Sequence, residues 1–130
     1  VDVDHFKAYN DHFGHQAGDE CLRRIAAVLS NSVKRSSDLI ARYGGEEFVI
    51  VLPGMKRKDA ASIAETICRK MQAQDLKHTE KSESGVVTIS IGVASQIPQP
   101  GGTAELLIKK ADSALYEAKN RGRNNVVTVS

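Results

Sequence analysis

The stretch Arg42-Tyr43-Gly44-Gly45-Glu46-Glu47-Phe48 sets both the fold and the chemistry of this 130-residue chain. Strand-like runs flank it, from Asp38 to Tyr43 on one side and from Phe48 to Leu52 on the other. A pair of glycines between two such runs predicts a two-residue turn, because glycine adopts the positive φ angles that hairpin turns require. We therefore expect a β-hairpin whose turn lifts two glutamates to its tip.

A second acidic cluster, Val1-Asp2-Val3-Asp4, stands at the end of another apolar strand. Neighbouring strands lie about 4.8 Å apart, so pairing of this strand with the hairpin would let Asp2 and Glu46 face each other. Two carboxylates about 4 Å apart repel by about 4 kcal/mol at an effective dielectric constant of about 20. Because a divalent cation removes that repulsion, the pattern predicts a metal site where the two strands meet.

The composition is that of one water-soluble globular domain spanning residues 1–130, with 41% hydrophobic and 26% charged residues. Eighteen basic and sixteen acidic residues give a net charge of +2, which does not favour a nucleic-acid polymer as partner. The sequence contains neither a signal peptide nor the run of about eighteen apolar residues that a membrane span needs. We expect a cytoplasmic domain without membrane contact of its own, alone or as the cytoplasmic part of a membrane-anchored protein.

Two details refine this expectation. Val1 reads as the middle of a strand, so we expect the start of the domain to be truncated. Cys21 and Cys68 fall on the apolar stripes of separate predicted helices, which favours two buried, reduced thiols over a disulfide or a metal pair.

Helices and strands alternate along the chain. Asp4 is placed to cap a short helix with apolar Phe6, Tyr9 and Phe13, which Gly14 would end. The other patterns predict helices over Asp19 to Val33, Asp59 to Gln74 and Thr103 to Gly122, strands over Val86 to Val93 and Val126 to Val129, and a loop over Asp75 to Gly85. The last helix should bury Ala104, Leu107, Ile108, Ala111, Leu115 and Ala118. We therefore expect an α/β (α+β) domain in which helices surround a mixed central sheet that includes one antiparallel hairpin.

Several motifs occur together and in order. They are Asp2 to Asp11, Gly14-His15, Gly18-Asp19, Arg42 to Phe48, Ser90 to Val93, and Ala111-Asp112 through Lys119-x-x-x-Arg123-Asn124. In this combination the chain resembles the GGDEF domain of bacterial diguanylate cyclases. The resemblance implies a palm-like fold related to the palms of nucleotidyl cyclases and polymerases. It also implies an enzyme that condenses two GTP into cyclic di-GMP and releases pyrophosphate.

The resemblance assigns roles in metal binding. It makes Asp2, Glu46 and the backbone carbonyl of Val3 ligands of Mg²⁺, with Mn²⁺ as a possible replacement. Glu46 would act either as a ligand alone or also as the base that takes the proton from the 3′-hydroxyl. Glu47, in the same motif, would either coordinate the metal or support the hairpin.

The nucleotide contacts follow from the same resemblance. Amides of the turn His5-Phe6-Lys7, together with the Lys7 charge, would bind phosphate. Lys119 and Arg123 would hold the triphosphate, although basic residues at a helix end often only offset the helix dipole. Asn10 and Asp19 would read the guanine edge, although either residue alone is more often a helix cap.

A further motif suggests feedback by the product. Arg35 and Asp38 frame an R-x-x-D motif that stands five residues ahead of Gly44, the offset of the family's product-inhibition site for cyclic di-GMP. The family often adds a second arginine from the following helix. This chain has Thr66 at the aligned position, with Arg69 as a nearby substitute.

One domain offers one GTP site, so the reaction should require a homodimer in which each GTP attacks the other. In the family, upstream sensory or receiver domains control this encounter. The alternative is a catalytically weak or silent domain that acts as a cyclic di-GMP or GTP-binding regulatory module. A third reading, a cyclase that makes a 3′,5′-cyclic mononucleotide, shares the palm and the two acids. The intact hairpin motif favours the diguanylate cyclase.

Overall fold

The computed structural model describes residues 1–79 and 82–129, in which helices and strands alternate as expected. The elements are β1 (Asp2–Val3), α1 (Phe6–Phe13), α2 (His15–Ser32), β2 (Leu39–Gly44), β3 (Glu47–Val51), α3 (Arg57–Ala73), β4 (Ile89–Ala94), α4 (Ala104–Asn120) and β5 (Val126–Val129). The strands form one sheet in the order β2-β3-β1-β4-β5. Among the strand pairs of the described residues, β4–β5 is the parallel one and the others are antiparallel. The predicted mixed sheet with an antiparallel hairpin is therefore confirmed.

The hairpin turn differs by one residue from the predicted turn. Gly44 pairs with Glu47, so the two loop residues are Gly45 and Glu46 rather than the two glycines. The register shifts between Arg42 and Gly44, and this bulge draws Gly44 into the strand. Gly45 takes the positive φ of the turn, +48°. Only one of the two acids, Glu46, therefore lies at the tip.

The β1–β3 ladder also pairs differently from the prediction. Asp2 lies across the ladder from Glu47, not from Glu46 as expected. Glu46 still adjoins β1, because its carbonyl accepts a hydrogen bond of 3.3 Å from the Val3 amide. The acids of the two strands thus meet, but Glu47 takes the facing position.

The main hydrophobic core packs α2 and α3 against the central strands. Its most enclosed side chains are Ile25, Leu29, Ile67, Met71 and Ile89. Both cysteines lie in this core as free thiols, as predicted. Burial raises the pKa of Cys21 to about 11 and that of Cys68 to about 12, so both remain protonated and unreactive at neutral pH.

Helix α4 packs on β4 and β5 through small residues, and the prediction for its apolar side chains was wrong in part. Ala114 and Ala118 are buried, whereas Ala104 and Ile108 are exposed. The remaining predicted positions, Leu107, Ala111 and Leu115, are half-buried. The cause is the close approach of α4 to Gly92 of β4, which leaves the larger side chains beside the contact, along a groove of about 1130 Å³.

Several helix and strand boundaries also differ from the predicted ones. Helix α2 begins at His15, one residue after Gly14, so Asp19 lies inside this helix rather than at its start. Thr103 caps α4 as expected, with its Oγ1 accepting from the Leu106 amide at 3.3 Å. The strand predicted from Val86 begins at Ile89. Part of the loop predicted over Asp75 to Gly85, namely residues 80 and 81, lies outside the described residues, as does residue 130.

None of the helices in the described part of the chain is both long and apolar enough to cross a membrane.

Replacement of Gly92 by alanine should destabilise the fold. A Cβ at this position would lie 2.2 Å from the Ala111 carbonyl oxygen and 2.3 Å from the Leu115 nitrogen, both of which are helix backbone. Since a helix cannot give way as a side chain can, we expect a loss of about 2–3 kcal/mol in urea unfolding. Gly44→Ala is the matched control, because a Cβ there meets nothing within 4 Å. Equal stability of the two variants would contradict the close contact.

Candidate active site

The hairpin tip presents a carboxylate that is free to bind a ligand. Arg42 stabilises the tip, because its Nε donates to the Gly45 carbonyl at 2.7 Å. The next residue, Glu46, is half-buried. Its carboxylate makes no hydrogen bond or ion pair with any residue in 1–79 or 82–129. Sequence reasoning did not single out Arg42 for this role, since only the folded hairpin brings its side chain back to the turn.

Asp2 is a buried carboxylate with a cationic partner. The residue is 4% exposed, and its Oδ2 lies 2.6 Å from Nζ of Lys119 near the end of α4. Burial of an unpaired carboxylate is costly, so the ammonium group stabilises this charge. The structure therefore brings together two of the predicted site residues that are 117 positions apart in sequence.

Asp4 does not cap α1 as expected. The N-cap position is His5, which makes no capping hydrogen bond with its side chain. The Asp4 carboxylate instead accepts three hydrogen bonds: from Ser90 Oγ at 2.6 Å, Thr88 Oγ1 at 2.7 Å and the Asn124 amide at 3.0 Å. Sequence reasoning missed this network, although the polar Thr88 and Ser90 in an apolar strand were a signal for it.

The carboxylates suit a small, hard cation held by few protein ligands. No group of three or more His, Cys, Asp or Glu side chains that could hold a metal ion occurs among the described residues. The Asp4 oxygens are already taken by neutral donors, whereas Asp2 faces a positive charge and Glu46 has no partner among the described residues. Mg²⁺ keeps several waters and often takes only one or two carboxylates, so this sparse set of oxygen donors fits it.

The start of α1 forms a turn, and the first amides of a helix have no acceptor within the helix. His5 adopts a left-handed conformation with φ +53°, and its carbonyl accepts from Nε2 of His78 at 3.0 Å. The His5 ring in turn lies 3.0 Å from a Glu83 oxygen. These contacts fix the turn that presents the first amides of the helix, which is the geometry of an anion-binding helix start.

Two of the residues predicted to contact phosphate, Lys7 and Arg123, make no contact with the acidic residues of β1 and the hairpin among the hydrogen bonds and ion pairs of the described residues. The side chain of Lys7 is 91% exposed and lies 3.3 Å from Asp11, an ion pair that surface water screens strongly. Arg123 follows α4 with φ +65°, and its amide donates to the Ala118 carbonyl at 3.1 Å. The Lys7 side chain can thus turn toward a ligand without breaking a buried contact.

The predicted guanine contacts lie on neighbouring helices. The Asn10 amide of α1 packs against Gly18 of α2, and its Oδ1 is buried without a hydrogen-bond partner. Asp19 follows Gly18 and lines a cleft of about 480 Å³ between α2 and β2. Gly18 thus adjoins both polar groups: the Asn10 amide lies against it, and Asp19 is the next residue in the sequence.

The R-x-x-D motif folds back on itself. Arg35 donates from Nη2 and Nε to one Asp38 oxygen, at 2.7 and 3.0 Å, and its backbone amide donates to the other at 3.2 Å. These hydrogen bonds lower the pKa of Asp38, so the carboxylate stays ionised in mild acid. Arg69 is exposed and donates to the hydroxyl of Thr66 at 3.2 Å. The suggested substitute for the second arginine is therefore in contact with Thr66, the residue at the aligned position.

Comparison with known sequences identifies relatives over nearly the whole chain. Residues 1–125 match the family model described as diguanylate cyclase, GGDEF domain. The response regulator PleD of Caulobacter vibrioides is 46% identical over 127 residues, which cover 98% of this chain and 28% of PleD. The diguanylate cyclase VdcA of Vibrio cholerae is 42% identical over 128 residues, which cover 98% of this chain and 37% of VdcA. The chain thus spans well under half the length of these curated relatives.

The fold has a counterpart among solved structures. The coiled coil and GGDEF domain of DgcB from Caulobacter crescentus, solved in complex with c-di-GMP, matches this chain with a TM-score of 0.86. The two are 35% identical, and the match covers 98% of this chain and 66% of that one.

Asp4→Asn should destabilise the protein through the network at the centre of the sheet. An amide offers one accepting oxygen where the carboxylate serves three donors, so buried N–H or O–H groups lose their partners. We expect a loss of about 2 kcal/mol, measured by urea unfolding. Asp11→Asn removes an exposed carboxylate seven residues later and should change stability by less than about 0.5 kcal/mol. A neutral effect of Asp4→Asn would show that the three hydrogen bonds carry no net stability.

Proposed function

Because the chain belongs to the GGDEF family of diguanylate cyclases, we propose that it condenses two GTP molecules into cyclic di-GMP. In each of two steps a 3′-hydroxyl oxygen bonds to the α-phosphorus of the other nucleotide. The bond from that phosphorus to the β-phosphate oxygen breaks, and pyrophosphate leaves. The observation that carries the proposal is the pairing of Asp2 on β1 with Glu47 of the hairpin, together with the Lys119 ammonium group at the Asp2 carboxylate.

The residues that would hold Mg²⁺ are Asp2 and Glu46 together with the carbonyl of Val3, whose amide donates to the Glu46 carbonyl at 3.3 Å. When bound, Mg²⁺ supplies positive charge against the triphosphate and lowers the pKa of a coordinated hydroxyl. Glu46 is the acid at the hairpin tip and has no partner among the described residues, so it is the group that would accept the proton of the 3′-hydroxyl. Glu47 faces Asp2 across the ladder and supports the same acidic edge.

The chain would hold the triphosphate from two sides. The amides of the His5-Phe6-Lys7 turn would donate to phosphate oxygens, since the left-handed His5 ends the strand and opens the helix. Lys119 would contribute its charge from the other side and would exchange its contact with Asp2 for one with phosphate. Arg123, on the turn that Asp4 anchors through Asn124, would add a second cation.

Two domains would be needed for each product molecule. One chain would supply one set of phosphate, guanine and metal contacts, whereas the product requires two GTP molecules that face each other. A homodimer with opposed sites would supply this arrangement. PleD is a response regulator, which supports control of the encounter by a regulatory domain elsewhere in the full protein.

Product inhibition would act through Arg35 and Asp38. Their mutual hydrogen bonds hold the turn in a fixed shape. They also leave Nη1 of Arg35 without a partner among the described residues, so it remains available to a phosphate oxygen. The complex of DgcB with c-di-GMP supports this ligand for the family.

Glu46→Gln should abolish synthesis of cyclic di-GMP while the protein keeps its fold. The amide can neither take a proton nor neutralise a cation, so we expect a loss of about a hundredfold or more in rate. The assay uses the chain fused to a dimerising coiled coil, incubated with GTP and Mg²⁺ and followed by chromatography. Glu65→Gln, on the exposed side of α3, is the control and should retain full activity.

The product itself tests the functional class. Cyclic di-GMP from the fused protein supports the proposal, whereas cyclic GMP would assign the chain to the mononucleotide cyclases. Absence of turnover together with tight binding of cyclic di-GMP would instead make it a regulatory binding module.

Arg35→Ala should relieve product inhibition without lowering the initial rate. Loss of the guanidinium removes a phosphate contact and the hydrogen bonds that shape the turn, so the inhibitory concentration of cyclic di-GMP should rise about tenfold or more. Arg57→Ala removes a similar exposed charge at the start of α3 and serves as the control. An unchanged inhibition curve would remove Arg35 from the inhibitory site.

A further inference from the structure

The side chain of Asn10 fills the space that a side chain at position 18 would need. A Cβ built on Gly18 would lie 1.7 Å from Asn10 Oδ1, 2.9 Å from its Cγ and 3.3 Å from the Phe6 ring. Gly18 is buried and sits inside α2, with its amide bonded to the Gly14 carbonyl at 3.0 Å. Its φ is not in the left-handed region, so the backbone itself does not require glycine here. The missing side chain is needed for space.

The Asn10 amide is also only partly satisfied. Its Oδ1 is buried and has no hydrogen-bond partner. Its Nδ2 makes no hydrogen bond with any residue in the described ranges and is not among the buried unpaired atoms. The carbonyl oxygen therefore points inward over the Gly18 Cα, while the amide donor is left for a ligand.

We propose that Gly18 determines base specificity by letting the Asn10 amide lie flat on α2, so that Nδ2 donates to the O6 carbonyl of guanine. This inference rests on the proposed function and divides the guanine edge between two residues. Asn10 supplies a donor for O6. Asp19, exposed one residue after Gly18, supplies an acceptor for the N1–H and 2-amino groups. Gly18 is a positioning residue, since it acts only through Asn10.

A methyl group at position 18 should move the amide rather than the helices. The closest atoms are the far end of the Asn10 side chain, which can rotate about its own bonds. Alanine is also a better helix former than glycine, so Gly18→Ala should fold at least as stably as the unchanged chain. The expected result is a stable protein that has lost one contact to the base.

The experiment measures equilibrium binding of three nucleotides by calorimetry, with Ca²⁺ in place of Mg²⁺ to suppress turnover. GTP is compared with 6-thio-GTP, which keeps N1–H and the 2-amino group but offers a weaker acceptor at position 6. It is also compared with inosine triphosphate, which keeps O6 and N1–H but lacks the 2-amino group. The ratio of the affinities for GTP and 6-thio-GTP reports the Asn10 contact. The ratio of the affinities for GTP and inosine triphosphate reports the Asp19 contact.

For the unchanged chain we expect GTP to bind about tenfold more tightly than 6-thio-GTP. In Gly18→Ala this preference should fall to about one, while the preference for GTP over inosine triphosphate stays the same. Asn10→Ala should likewise lose the preference for GTP over 6-thio-GTP. The double variant with Asn10→Ala and Gly18→Ala should bind GTP no more weakly than Asn10→Ala alone, because both substitutions remove the same contact. Ala27→Ser adds one atom at an exposed position of the same helix and should bind like the unchanged chain.

Three results would overturn the inference. Unchanged selectivity in Gly18→Ala would show that the residue does not position Asn10. An equal loss of both preferences, or a fall in melting temperature, would show that the methyl group disturbs the helices rather than one amide. Failure of the unchanged chain to bind GTP would overturn the proposed function and this inference together.

Discussion

The hydrogen-bond network around the Asp4 carboxylate is the constraint on which the rest of the site depends. It joins the residue after β1 to Ser90 of β4 and to Thr88 just before that strand, and it joins the same residue to the turn after α4 through the Asn124 amide. Since β1 has only two residues, its ladder alone offers few hydrogen bonds. The buried carboxylate supplies three more, and charged acceptors form the stronger class of hydrogen bond. The sheet and the last helix are thereby held in one arrangement.

That arrangement explains how a second buried acid is tolerated nearby. Asp2 is as inaccessible as Asp4 but has a different partner, the Lys119 ammonium group that extends from near the end of α4. Asp4 is satisfied by neutral donors and therefore holds structure, whereas Asp2 is balanced by the charge of a single lysine side chain. This difference between two acids two residues apart is why Asp2 rather than Asp4 is the one suited to a cation.

Small residues set the spacing at both ends of the site. Gly92 lets α4 approach β4 closely, which brings Lys119 within reach of Asp2. Gly18 lets α1 and α2 close over the Asn10 amide. In both places the function would follow from a missing side chain, which allows polar groups on different elements to approach within bonding distance.

The sequence by itself determined the order of elements, the hairpin, the two reduced cysteines and, through its motifs, the family. These features are local, because they depend on periodicity, on turn residues and on short runs of side chains. Only the tertiary structure decided that Glu47 rather than Glu46 faces Asp2, since the register of the β1–β3 ladder pairs Asp2 with Glu47. It alone also decided that Asp4 bonds to β4 instead of capping α1, and that Ile108 stays exposed while Lys119 reaches Asp2. Each of these features depends on which distant residue lies next to a given side chain. The packing of the whole chain determines those neighbours, and the local sequence pattern does not.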